Sequence, residues 1–169
     1  MERTESIETA DVLAAGEDQQ YVTFYISNEL YGVPVLKVQE IIGMTKITAM
    51  PNTLAFMKGV IDLRGAVVPV IDMRMKFEMD KLDFTSYTVI IIVEVKDRLV
   101  GMIVDSVADV INIPVKRIQE TPQFSGKINR EYIQGIGQKD DTPIIILDVD
   151  RILTSDEFES INEDHENDQ

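Results

Sequence analysis

Asp105 and Asp109 stand four residues apart, and Asp148 and Asp150 flank Val149. Carboxylates spaced like this can share a cation, or they can be a solvated face or charges at a helix end. The single histidine, His165, lies in an acidic C-terminal stretch. No serine or cysteine can be joined to it in a fixed pocket to make a nucleophile–base pair. The chain has no cysteine, which excludes disulfides, thiolate zinc sites and thiol nucleophiles. None of the glycine-rich phosphate or nucleophile-elbow motifs occurs.

The residue that stands out is Arg64, in GVIDLRGAVVPVIDMR, residues 59–74. It sits between two apolar runs that read as strands. By period two, Ile61 and Leu63 face one side, and Val60, Asp62 and Arg64 the other. The apolar pair belongs to a core, so Arg64 projects outward at a strand end, beside a glycine that permits a tight turn. Arg64 can pair locally with Asp62 or Glu40, or it can offer its planar five-donor fork to a partner. No reaction follows from these residues. A binding module does.

The elements that must position Arg64 are short. QYVTFYISNELYGVPVL alternates, with Val22, Phe24 and Ile26 on one face, a turn at 27–29 and a return strand over 30–35. In LKVQEIIG, the i, i+3, i+4 spacing of Val38, Ile41 and Ile42 predicts a short helix ended by Gly43. PNTLAFMKG predicts another, capped by Asn52 or Thr53 and ended by Gly59. Strands 60–63 and 66–71 follow, with Pro69 at an edge or a bulge.

The second half repeats the first. A shift of 69 places VTFYISNELYGVPVLKVQEII on IIVEVKDRLVGMIVDSVADVI, so that Gly32 falls on Gly101 and Glu40 on Asp109. A shift of 76 places Gly59 on Gly135 and residues 68–72 on 144–148. The same order of elements on both sides predicts two similar β lobes, about 20–83 and 84–153, joined by the polar crossover 78–86. Short, closely spaced strands favour small barrels.

The net charge of −14 is concentrated at the ends. Residues 1–19 carry six acids and one arginine, residues 154–169 seven acids and no Lys or Arg. The body between has 17 acids against 15 bases. The N-terminal stretch reads as a disordered tail, and the C-terminal one as partly helical, then disordered. Without a basic patch the chain is a poor nucleic-acid binder. The longest purely aliphatic run, 89–93, is far too short to span a bilayer.

LYGVPVLKVQEII, FMKGVIDLRGAVVPVIDMR and LVGMIVDSVADVI, in this order and spacing, closely resemble the CheW family of bacterial chemotaxis adaptors, over about residues 20–158. The resemblance implies two five-stranded SH3-like β barrels packed together, with short helices and a C-terminal helix, and no catalysis or cofactor. It implies a cytoplasmic adaptor, recruited to receptor arrays at the inner face of the membrane without inserting into it. The adaptor would couple the cytoplasmic tips of chemoreceptors to the regulatory domain of the histidine kinase CheA. It would be monomeric when free and join rings or lattices in arrays. A coupling protein of a non-chemotactic array, or an interaction domain with other partners, is the alternative.

Carried over by position, Arg64 matches the motif arginine and Gly59 the start of its segment. Val38 and Glu40 match the neighbouring KVQE segment, with Glu40 orienting Arg64 through a salt bridge. Asp62 stands where the family usually has Asn, which places a negative charge beside Arg64. Gly101, Val107 and Val110 match second-lobe positions near the groove between lobes.

Overall fold

In the computed structural model, residues 19–51, 54–120 and 130–167 are described. Ten strands follow in order: β1 Gln19–Ile26, β2 Glu29–Pro34, β3 Val38–Gly43, β4 Met57–Leu63, β5 Ala66–Asp72, β6 Val89–Val95, β7 Arg98–Val104, β8 Ser106–Ile113, β9 Ile133–Lys139 and β10 Thr142–Leu147. A one-turn helix, α1 Met73–Lys76, follows β5, and a longer one, α2 Ser155–Asn167, closes the chain. The N-terminal tail lies almost wholly outside the described residues. The helix expected at the C-terminal end is α2.

The four hairpins are tight for a reason legible in their turns. Ser27–Asn28, Arg64–Gly65, Lys96–Asp97 and Asp140–Asp141 all have positive φ at both positions. Such turns twist in the sense that adjoining strands need. Two expected helices do not form. Val38–Gly43 is β3, and its half-buried and exposed residues alternate strictly. The spacing of Val38, Ile41 and Ile42 fitted a helix face, but β-branched side chains pack well on a pleated edge, and the partner strand β6 decides the outcome. Only a 3-10 turn, Val35–Lys37, remains of that helix. Of the helix expected before Gly59, Ala55 and Phe56 form a turn and β4 begins at Met57, and its expected caps, Asn52 and Thr53, lie outside the described residues. Gly59 does not end a helix. It sits in a bulge of β4 with φ +145°.

The strands form two five-stranded sheets, ordered β8-β1-β2-β10-β9 and β3-β6-β7-β5-β4. This corrects the expected division into lobes 20–83 and 84–153, because neither sheet is a sequential half. Each half of the chain lends its first hairpin to the other half's strands. The junction is parallel pairing: Gly32 of β2 opposite Ile146 of β10, and Gly101 of β7 opposite Val70 of β5. These two pairs are equivalent under the shifts of 69 and 76. The repeat is therefore real, but it marks which residues are equivalent and not which residues pair.

Each sheet curls until its outer strands meet. Thr48, beyond β3, exchanges both backbone hydrogen bonds with Val60 of β4, at 2.8 and 2.9 Å. Gln119 and Ile136 do the same in the other barrel. Inside one barrel lie Ile61, Val68, Val70, Ile90, Ile92 and Ile103; inside the other lie Tyr21, Ile113, Ile144 and Ile146. The largest apolar cluster lies where the two sheets' remaining faces meet. Val22, Phe24 and Ile26 from β1 pack there with Ile91 and Val93 from β6. Alternation along each strand feeds both clusters, since Ile90 and Ile92 point into the barrel and Ile91 and Val93 towards the neighbour.

Ion pairs reinforce this joint. Arg74 of α1 donates two hydrogen bonds to Asp105, 2.9 Å from Nε and 2.6 Å from Nη2, and Asp105 also accepts the Ser27 N–H at 2.8 Å. At the equivalent place the charges are reversed. Asp150 accepts the Lys37 ammonium at 2.9 Å and the Lys96 N–H at 3.2 Å. In both cases one aspartate ties the tip of a swapped hairpin to the other sheet.

Candidate functional site

Arg64 occupies the first turn position of the β4–β5 hairpin with φ 51°. The Asp62 carboxylate accepts the Gly65 N–H at 2.8 Å, so Asp62 fixes the turn and does not pair with Arg64. Arg64 instead reaches across the barrel seam to Glu40 of β3. The contact is bidentate: Nη1 donates to Oε2 at 3.1 Å and Nη2 donates to Oε1. The Glu40 carboxyl is held below its ordinary pKa by this hydrogen bond, which outweighs the opposing effect of burial and is aided by the guanidinium charge. The Arg64 side chain keeps 68% of its surface exposed, which leaves its outer face free for a partner. This is the arrangement expected for Glu40 and Arg64, reached across two strands that are not hydrogen-bonded neighbours.

Around the pair lies an edge. β3 is an outer strand of its sheet, and Ile41 is exposed on it. Val38 is half-buried against the large core, so it supports the edge from beneath. The repeat carries Val38, Glu40 and Ile41 onto Val107, Asp109 and Val110 of β8, an outer strand of the other sheet. Val107 and Val110 are both exposed. A bulge between Thr23 and Phe24 in the β1–β8 pairing accommodates the extra residue.

Asp109 pairs with Lys139 at the end of β9, at 2.9 Å, across the second barrel's seam. The Lys139 and Val110 hydrogen bonds hold the Asp109 carboxyl below its ordinary pKa. Each barrel thus carries one acidic residue on an outer strand, pinned to a cation beside the opposite hairpin turn. Lys139 was absent from the sequence-based candidates. The shift of 76 places it on Leu63, next to Arg64, which was the signal available for it.

Two of the candidates are structural. Gly59 is buried, and a Cβ there would lie 2.1 Å from the Thr48 carbonyl oxygen. Gly101 is buried in the middle of β7, where a Cβ would meet Ile90 at 2.9 Å and Val70 at 3.2 Å. Neither presents a surface; both let backbone or side chains approach closely. The structure therefore gathers Glu40, Asp62 and Arg64 in one place, Val107 and Val110 on the other barrel, and leaves the two glycines inside.

The carboxylates considered for cation binding have other partners. Asp105 and Asp109 lie before and within β8, not on one helix face, and each pairs with a cation of the chain. Asp148 accepts the Asp150 N–H, and Asp150 pairs with Lys37. Among the described residues no three His, Cys, Asp or Glu side chains converge to hold a metal, and no helix is long and apolar enough to cross a membrane.

A family model described as the CheW-like domain matches residues 20–157. The chemotaxis protein CheW of Klebsiella aerogenes is 38% identical over 146 residues, covering 85% of this chain and 88% of that protein. A probable chemotaxis protein CheW of Rhizobium etli is 36% identical over 143 residues, covering 85% and 92%. The crystal structure of the scaffolding protein TtCheW from Thermoanaerobacter tengcongensis superposes with a TM-score of 0.75 at 34% identity, covering 80% of this chain and 88% of that one.

Proposed function

The chain belongs to the CheW family, and on that premise we propose that it is a non-catalytic chemotaxis adaptor that couples chemoreceptors to a histidine kinase. The observation that carries this reading is the family match over residues 20–157, joined to the exposed guanidinium of Arg64 at a fixed seam. The partners are the cytoplasmic tips of chemoreceptors and the regulatory domain of the kinase, and the protein works at the cytoplasmic side of receptor arrays. Glu40 orients Arg64, and Asp62 sets the turn that aims it. Val107 and Val110 supply apolar contact area on the second barrel, and Val38 backs the Glu40 strand.

An adaptor of this kind transmits a signal only if its contacts differ between receptor states, so that occupancy of one site biases the other. Two barrels joined by reciprocal hairpin exchange over one shared core suit that task.

The test is a titration with a receptor-tip fragment and the kinase regulatory domain, each alone and then together. Simultaneous binding of both is expected, and Arg64→Ala should weaken one of them at least tenfold. Failure of the wild-type protein to bind either partner would refute the coupling role. Unchanged affinities for Arg64→Ala would refute the part assigned to Arg64.

A further inference from the structure

A cavity of about 120 Å³ lies between the end of β5 and the crossover segment, with Asp72, Arg74, Asp83 and Asp105 among its walls. Asp72 is only 3% exposed. Its Oδ1 accepts the Arg74 N–H at 3.0 Å and the Met75 N–H at 3.4 Å, which caps α1. Its Oδ2 has no hydrogen-bond partner among the described residues. A carboxylate oxygen buried without a donor is costly, so this one calls for a partner. Arg74 does not supply it. Its Nε and Nη2 are bound to Asp105, and its Nη1 donates to the Asp80 carbonyl at 3.0 Å. Of the other nearby bases, Lys76 is held by Glu157 at 2.8 Å, and Lys58 stands over the Phe84 ring at 5.7 Å from its centre. Asp83 is exposed and makes no ion pair among the described residues. The walls thus set three carboxylates against one guanidinium that is already engaged.

The repeat supplies the comparison. The shift of 76 carries Asp72 onto Asp148, which also caps the turn that follows it, its Oδ1 accepting the Asp150 N–H at 3.1 Å. There the second oxygen, Oδ2, is faced by one of the chain's own guanidiniums, with Arg151 Nε at 3.7 Å. The residue equivalent to Arg151 is Met75, so no such cation reaches Asp72. We propose that the cavity beside Asp72 is a binding site for a guanidinium group, which donates to Asp72 Oδ2 and to Asp83 and lays its flat face on Leu82, Phe84 and Ile103. The volume fits. It is the share of about four water molecules at ~30 Å³ each, and a guanidinium has about as many heavy atoms. The walls fit as well. Leu82, Phe84 and Ile103 are apolar, and a guanidinium sheds its water more easily than an ammonium does. An occupied site would join the crossover to the end of β5 and to the Arg74–Asp105 pair. This inference stands on the cavity and not on the coupling role.

Amide chemical shifts of the isotope-labelled full-length protein, titrated with methylguanidinium, test it. Saturable shifts are expected at Arg74, Met75 and Thr85, with a dissociation constant in the millimolar range for so small a ligand. Methylammonium should bind at least about threefold more weakly. Asp72→Asn keeps an oxygen for the cap but removes the charge, and should weaken binding at least about tenfold. Asp83→Asn, at the exposed side, should weaken it about threefold, and Asp148→Asn, the same change at the equivalent cap, should leave it unchanged. A parallel titration with N-acetyl-arginine N-methylamide separates the sources: tighter binding than methylguanidinium assigns the site to an arginine of a polypeptide partner, weaker binding to a free guanidinium compound. Shifts that only track sodium chloride at the same ionic strength would overturn the proposal and leave the cavity to water. Saturable binding that survives both Asp72→Asn and Asp83→Asn would overturn it by placing the ligand elsewhere.

Discussion

Replacing Gly59 by alanine separates the residue that builds the Arg64 seam from the residue that uses it. At φ +145° an alanine is strained, at about 1–3 kcal/mol. Its methyl carbon would also fall 2.1 Å from the Thr48 carbonyl oxygen, so Thr48 must move. That movement breaks the two hydrogen bonds closing the barrel between Thr48 and Val60, each contributing about 0.5–1.5 kcal/mol net. The sum is about 2–6 kcal/mol, a large share of the roughly 5–15 kcal/mol that holds a domain together. At about 2–4 °C per kcal/mol for a chain of this size, the midpoint of thermal unfolding should fall by about 4–24 °C. Arg64→Ala makes the opposite prediction. The side chain is mostly solvated and its backbone is unchanged, so the melting curve should overlay the wild type while, on the proposed function, binding of one partner weakens at least tenfold. Circular dichroism melts of both variants, with binding measured well below their midpoints, check the pair. Wild-type melting of Gly59→Ala would refute the closure argument. Equal destabilisation by Arg64→Ala would show that the ion pair, and not the backbone bridge, closes the barrel.

Gly101→Val should lower the urea midpoint, because a branched side chain meets Ile90 and Val70 and overpacking costs about 1–3 kcal/mol; Gly43→Val, with nothing within 4 Å of its Cβ, should leave the midpoint within error. Asp150 gives a pH prediction. Burial works against its charge, but the hydrogen bonds from Lys37 and the Lys96 N–H outweigh burial and hold its pKa below the ordinary value. The native state therefore binds this proton less readily than the unfolded chain. The stabilisation is complete above the ordinary carboxylate value of about 4 and is lost as pH falls through the lowered native value. Asp150→Asn should flatten acid unfolding below about pH 4, and an unchanged slope would remove Asp150 from the account. Lys76, whose side chain is 3% exposed, lies between the rings of Phe56 and Tyr132 and donates to Glu157 Oε1 at 2.8 Å. The same oxygen accepts the Thr154 N–H, and the Thr154 hydroxyl accepts the Glu157 N–H, which makes a capping box at the start of α2. Glu157→Ala should therefore cost about 2 kcal/mol and speed amide exchange in α2 first; uniform exchange across the chain would show that the clasp is not local.

Much of this molecule was readable in one dimension. The β1–β2 and β4–β5 hairpins followed from alternation and turn residues, and the inward face of Ile61 and Leu63 followed from period two. The repeat was visible at both shifts, and the shift of 69 already set Glu40 beside Asp109. The resemblance supplied the pairing of Glu40 with Arg64. The segment that forms β3 reads as a helix because three apolar residues at i, i+3 and i+4 satisfy either geometry over so short a stretch. Only a hydrogen-bonded neighbour decides between them, and the neighbour of β3 is β6, some fifty residues away.

What the sequence determined by itself is local: strand alternation, turns whose residues accept positive φ, acidic ends around a nearly neutral body, and the equivalence of the two halves. The tertiary structure alone decided which strands share a sheet. Two equivalent halves can close separately or exchange hairpins with the same local pattern, and the choice lies in long-range packing. Parallel contact at Gly32 and Gly101, burial of the outward faces of β1 and β6 in one shared core, and the reversed ion pairs at Asp105 and Asp150 are all set by residues far apart in the chain. Arg64 meets Glu40 for the same reason: curvature of a sheet brings its two edges together, and curvature is not written at any single position.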